Sequence, residues 1–181
     1  MGDHITRYDQ MPIPPVESQT EYVDAGAVMF GVEYRLLDDA IAAASEIEGA
    51  AGGEGGIVLE DRGVSLHVFG TAAEDEKPLE FLRFDCFDED PHYHYVSWKE
   101  KSNEMIHIDP VADGDPLTWA LERVRSRLVP MLERAGASGV AARVDLRRIE
   151  EALPRVSEAA WRARYQHDDE AIRSDAMAGQ N

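Results

Sequence analysis

The sequence predicts an α+β fold: a largely antiparallel sheet of about five or six strands from residues 21–109, covered by two C-terminal helices at 116–135 and 145–166. Three observations predict it. Apolar and polar residues alternate in short runs as far as residue 109, the period of a strand with one buried face. From Leu117 onward apolar residues recur at spacings of three and four, the period of an amphipathic helix. Strands therefore come first and helices last, the order of a sheet with helices on one face.

Residues 1–20 hold Pro12, Pro14 and Pro15, and proline fixes φ and removes an amide donor. An extended arm is expected there, either a loosely held tail or an arm that wraps a neighbouring molecule with Met11, Ile13 and Val16 as anchors. Residues 21–166 are expected as a single domain and 167–181 as a polar tail that frays after Gln166. A strand is clearest at 28–34, and Asp38 or Asp39 is placed to cap a short helix at 40–44. Residues 49–56 are a glycine-rich connection without the Lys-Ser/Thr of a phosphate-binding loop. A hairpin is predicted from 57–60 and 64–69, with its turn at Asp61, Arg62 and Gly63. Strands follow at 79–87, 92–98 and 104–108. Asp115-Pro116 starts the first helix, because an N-cap acid accepts an orphan amide and proline suits the first helical position. Gly136 ends it, and a second helix begins at Asp145 with Leu146, Ile149, Leu153, Val156 and Ala160 as its stripe.

The formal net charge is −18, from 36 Asp and Glu against 18 Lys and Arg. A surface that negative repels phosphate backbones and anionic lipids, so neither nucleic acid nor a membrane is expected as partner. No run of about 20 apolar residues is present to span a bilayer. No cationic stretch followed by an apolar one opens the sequence, so no secretion signal is expected. The single cysteine, Cys86, rules out an intrachain disulfide and a multi-cysteine metal site, and suits a reducing cytoplasm. The motifs of P-loops, zincins, nucleophile-elbow hydrolases and EF-hands do not occur.

Half of the charge imbalance lies in residues 73–115, which carry thirteen acids against four bases. Three of the six histidines fall in the same stretch. If 88–91 forms a turn, Phe87 faces His92, Asp85 faces His94 and Arg83 faces Val96. If 99–102 forms the next, His94 faces His107 and His92 faces Asp109. Opposed side chains lie about 4.5–5.5 Å apart at Cβ, so this register gathers His92, His94, His107, Asp85 and Asp109 on one face. A one-residue slip instead sets His92 against Cys86, on the face that carries Leu82 and Phe84. Imidazoles with carboxylates suit a divalent transition metal such as zinc, iron or manganese. Without metal, an Asp85–His94 pair suits acid–base chemistry. Arg83, Cys86, Tyr93, Tyr95 and Trp98 are expected around this site as supporting groups or as an interface, where Tyr and Trp favour a buried surface with a wet edge.

Two functions follow. The proline-containing arm, the aromatic–histidine face and the polar tail point to a protein acting by association, as an accessory or regulatory subunit or as a homo-oligomer. The alternative is a metal-dependent enzyme or metal-binding protein using His92, His94 and His107 with Asp85 or Asp109.

Overall fold

The computed structural model describes residues 5–37, 61–71 and 76–178. Among the described residues seven antiparallel strands form one sheet: β1 (Ile5–Tyr8), β2 (Glu21–Asp24), β3 (Val28–Leu37), β4 (Asp61–Gly70), β5 (Leu79–Phe87), β6 (His92–Ser97) and β7 (Ser102–His107). Their order across the sheet is β1-β7-β6-β5-β4-β3-β2. Four helices follow, α1 (Pro116–Arg134), α2 (Ser138–Ala141), α3 (Leu146–Tyr165) and α4 (Asp169–Ala178). No helix among the described residues is long and apolar enough to cross a membrane.

The helices cover one face of the sheet. Phe30, Leu66, Leu82 and Phe84 are buried there with Leu117, Val124, Leu128 and Leu132 of α1 and Ile149, Val156 and Ala160 of α3. The α1 N-terminus forms as its sequence dictates: Asp115 Oδ2 accepts from the Thr118 amide at 2.8 Å, with Pro116 at the first position. Its end is a left-handed Gly136 (φ 81°), after which the Ala137 amide reaches back to the Leu132 carbonyl at 2.9 Å.

The other face carries an uninterrupted layer of buried polar side chains: Glu33 and Arg35 on β3, Ser65 and His67 on β4, Glu80, Arg83 and Asp85 on β5, His92 and His94 on β6, and Asn103 on β7. The arm covers it. Because β1 lies at one edge of the sheet and β2 at the other, the chain between them crosses the whole face. Its carbonyls accept from the side chains below: Gln10 from Asn103 at 2.8 Å, Ile13 from Arg83 at 2.6 Å, and Pro14 from Arg35 at 2.6 Å. The Val16 amide donates to Glu33 Oε2 at 3.1 Å. Prolines suit such a strap, since they keep it extended and leave no amide of their own to be satisfied.

Several expectations are corrected. The sheet gains a seventh strand because β1, from within the arm, pairs with β7 in the register Ile5↔Ile106 to Tyr8↔Asn103. The arm therefore lies on its own sheet, pinned by that pairing and by the side chains named above. Asp61, Arg62 and Gly63 are not a turn but the first residues of β4, paired with Leu37, Leu36 and Arg35 of β3. The expected helix at 40–44, the glycine-rich connection at 49–56 and the run at 57–60 lie outside the described residues. The polar stretch after Gln166 forms α4, because Ile172 finds a buried position and its carbonyl accepts from Gln19 Nε2 at 2.9 Å.

Candidate metal centre

Two cross-strand rows build the polar face. Strand pairing sets Glu33, Ser65, Asp85, His92 and His107 side by side from β3 to β7. The adjoining row sets His67, Arg83, His94 and Met105 side by side from β4 to β7 and ends at Thr6 of β1. Residues two apart on a strand share a face, so both rows lie beneath the strap.

The rows converge at Asp85, His92 and His94, which each bring one ligand-type atom within 4.8 Å of the other two. Asp85 Oδ2 stands 3.4 Å from His92 Nε2 and 3.2 Å from His94 Nε2. The two imidazoles meet edge to face with centroids 4.9 Å apart. Ser65 Oγ donates to the other carboxylate oxygen, Asp85 Oδ1.

The partners of the outer ring nitrogens decide what this group can do. His92 Nδ1 is 2.7 Å from the Asp90 carbonyl oxygen, which only accepts, so Nδ1 carries a proton. His94 Nδ1 is 2.9 Å from Asn103 Oδ1. The Asn103 amide is oriented by its Nδ2, which donates to the Gln10 carbonyl, so His94 Nδ1 also donates. In neutral imidazoles both Nε2 atoms are then bare lone pairs. They point at a carboxylate oxygen that is itself an acceptor. Three acceptors gather with no donor among them, and only a cation relieves that arrangement: a further proton or a metal ion. The N···O separations exceed the 2.7–2.9 Å usual for charge-assisted hydrogen bonds. They match the spacing of about 3.3–3.4 Å between ligands set tetrahedrally at about 2.0–2.1 Å from a metal.

Burial works against the charge of Asp85, yet the His92 and His94 imidazoles facing it and the nearby Arg83 hold its carboxyl well below the usual range. Burial also lowers the basicity of His92, but the neighbouring Asp85 carboxylate and the Asp90 carbonyl outweigh it and raise the pKa. For His94, burial with the neighbouring His92 and Arg83 charges prevails over Asp85, and the pKa falls.

A second buried group adjoins the first. His67 Nδ1 is 2.5 Å from Glu80 Oε1 and its Nε2 3.0 Å from Glu33 Oε1. Arg83 grips Glu80 with two nitrogens, at 2.9 and 2.7 Å, and Arg35 Nε stands 2.6 Å from Glu33 Oε1. Both ring nitrogens of His67 are therefore occupied by carboxylates, and this histidine is an ion-pair member with no free lone pair for a metal.

The expected site residues separate into three groups. His92, His94 and Asp85 come together. The register differs from the expected one by two residues in both hairpins, so Asp85 faces His92 and His92 faces His107. His107 lies outside the cluster, exposed, with Nδ1 2.6 Å from Asp90 Oδ1 and its ring centroid 6.4 Å from that of His92. Asp109 is beyond the end of β7, where its carboxylate accepts from the amides of Val111 and Ala112. Arg83 is held by its salt bridge to Glu80. Cys86, Tyr93 and Tyr95 project to the helix-covered face, not among the histidines. Tyr93 packs against Trp119, and Tyr95 lies under the Arg134 guanidinium at 4.0 Å. Trp98 sits in the turn before β7 and donates to the Glu80 carbonyl at 2.7 Å. Burial pushes the Cys86 thiol far up, away from the thiolate form.

Ser65, Asn103 and Asp61 were not legible as site residues. Ser65 and Asn103 hydrogen-bond Asp85 and His94 from neighbouring strands. Asp61 is buried and takes the Glu89 and Asp90 amides at 3.0 and 2.9 Å. Glu33 and His67 were visible as polar members of alternating strands, a pattern that a solvent-facing strand shares.

Residues 22–160 match a protein-family model described as a domain of unknown function (DUF7700). That span holds Asp85, His92, His94 and Asn103, while β1 and the strap precede it. No curated protein and no solved structure matches the chain.

Proposed function

The chain belongs to the family described as a domain of unknown function (DUF7700), and from the geometry of its polar face we propose that it binds a divalent transition metal through Asp85, His92 and His94. The observation that carries this reading is the commitment of both Nδ1 protons to oxygen acceptors, which leaves both Nε2 lone pairs converging on Asp85 Oδ2. Metal-binding histidines are held in this way, with the outer N–H given to a carbonyl, so that ring orientation and tautomer are preset. Two nitrogens and an oxygen suit zinc, iron(II) or manganese. Three protein ligands leave positions for water or a substrate, as in sites where the metal does chemistry. Metal-dependent catalysis is accordingly the activity class we propose, in a reducing cytoplasm to which the single cysteine is suited.

Association with a protein partner is the weaker reading. The arm that argued for it is held by its own sheet, and Tyr93 and Tyr95 by the helices.

The test is elemental analysis of untagged protein, with cobalt(II) uptake followed by visible absorption at pH 7.5. Near-stoichiometric metal or cobalt in the parent, lost in Asp85→Asn and in His92→Ala/His94→Ala proteins whose circular dichroism is unchanged, is the expected result. A parent that neither carries metal nor takes up zinc, iron(II), manganese or cobalt sinks the proposal.

A further inference from the structure

We infer that the strap of residues 10–16 is a metal-responsive cover, its docking and the loading of the Asp85–His92–His94 site each strengthening the other. The inference rests on the metal reading above and adds its regulation. Asn103 is the connecting residue. One amide group serves both sides: its Oδ1 takes the His94 Nδ1 proton at 2.9 Å, and its Nδ2 donates to the strap carbonyl of Gln10 at 2.8 Å. The chain of contacts runs without a gap from the strap to the ligand atom, His94 Nε2.

The direction of the effect follows from polarisation. A metal on Nε2 draws electron density from the imidazole and makes Nδ1–H a stronger donor. The Asn103 carbonyl that receives it becomes more polarised, and its amide N–H in turn donates more strongly to Gln10. In the other direction, a docked strap fixes the Asn103 amide with Oδ1 towards His94 and so keeps Nε2 bare for metal. A released strap frees that amide to turn, and His94 loses its preset tautomer. A coupling free energy acts equally both ways.

The strap is suited to move. Apart from the Val16 amide, its contacts named above are carbonyls held by the side chains of Asn103, Arg83 and Arg35. Segments held by side chains open more readily than those in a strand ladder. Met11 and Pro12 lie between the Gln10 anchor on β7 and the Ile13 anchor on β5, so they make the crossing over β6, the strand that carries both histidine ligands.

Hydrogen–deuterium exchange of the full chain, read by mass spectrometry on peptides covering 9–17 with and without cobalt(II), tests this. Exchange at Met11, Ile13 and Val16 is expected to slow about fivefold or more on loading. Asn103→Ala is expected to abolish that difference and to weaken cobalt binding by about 10- to 100-fold. Arg35→Gln loosens the strap at a residue that touches no ligand, and it too is expected to weaken cobalt binding. Cobalt bound at full stoichiometry with strap exchange unchanged overturns the coupling and leaves the metal site standing. Cobalt not bound by the parent overturns both.

Discussion

His67 cannot be neutral and satisfied at once, since each of its ring nitrogens faces a carboxylate. Burial disfavours its charge, but Glu80 and Glu33 prevail and raise its pKa. The same contacts with Arg83 bring Glu80 down to about 2, and Arg35 with His67 lowers Glu33. Burial opposes the ionised form in both acids. The stability owed to His67 is therefore complete below its unfolded pKa of about 6.5 and is lost as pH rises through the higher folded value. That owed to the two acids is present above about 4.5 and is lost as pH falls through their folded values. Urea denaturation as a function of pH should show a plateau between about 5 and 6.5, with an alkaline decline. His67→Gln should flatten that decline and cost about 3–5 kcal/mol at pH 6, because it leaves two buried carboxylates short of a cation.

At the scale of elements, β4 and β5 approach so closely at Gly63 that a Cβ there lies 2.4 Å from the Cys86 carbonyl oxygen and 2.7 Å from Phe87 Cα. Both obstacles are backbone, which cannot step aside. Gly63→Ala should cost about 1–3 kcal/mol, read as a lower urea midpoint with unchanged m-value. Asp61→Ala strips the 88–90 loop of its acceptor and shifts the Asp90 carbonyl that orients His92. It should cost about 1–3 kcal/mol and weaken cobalt binding as well, which separates it from Gly63→Ala. These neighbours also explain what could be read in advance. The strands expected at 79–87 and 92–98 were plain from alternation, and that parity placed Asp85, His92 and His94 on one face. The register could not be read, because Asp61, distant in sequence, draws back the loop so that His92 meets Asp85 instead of Phe87. In the following hairpin the turn comes one residue early, at Trp98 to a left-handed Lys101 (φ 53°). The helices were legible nearly to their ends, since caps at Asp115 and Asp145 and the glycine at 136 are local signals.

Across the whole molecule, a net charge of −18 stores repulsion in the compact state. Raising ionic strength from about 0.01 to 0.15 M shortens the screening length from about 30 to 8 Å. It should raise Tm by about 2–4 °C, the shift that about 1 kcal/mol produces in a chain of this size. A fall in Tm under the same change would mean that surface ion pairs such as Arg162–Glu21 and Arg164–Asp115 outweigh the repulsion. That the polar face is an interior was illegible for a reason of this scale: the alternation of Glu33, His67 and Asp85 with apolar neighbours is what a solvated face also shows, and only the strap makes the difference. The route of that strap has a consequence for synthesis. Ile5 pairs with Ile106, so about 100 residues must follow β1 from the ribosome before its partner strand exists, a wait of about 5–20 s at ordinary elongation rates. The central hairpins can zip locally in the meantime, so that β1 and the crossing segment dock over a face on which His92 and His94 are already aligned. On the proposed metal reading, any interval in which the histidines are aligned before the strap docks is when a metal ion would have its most open path to them.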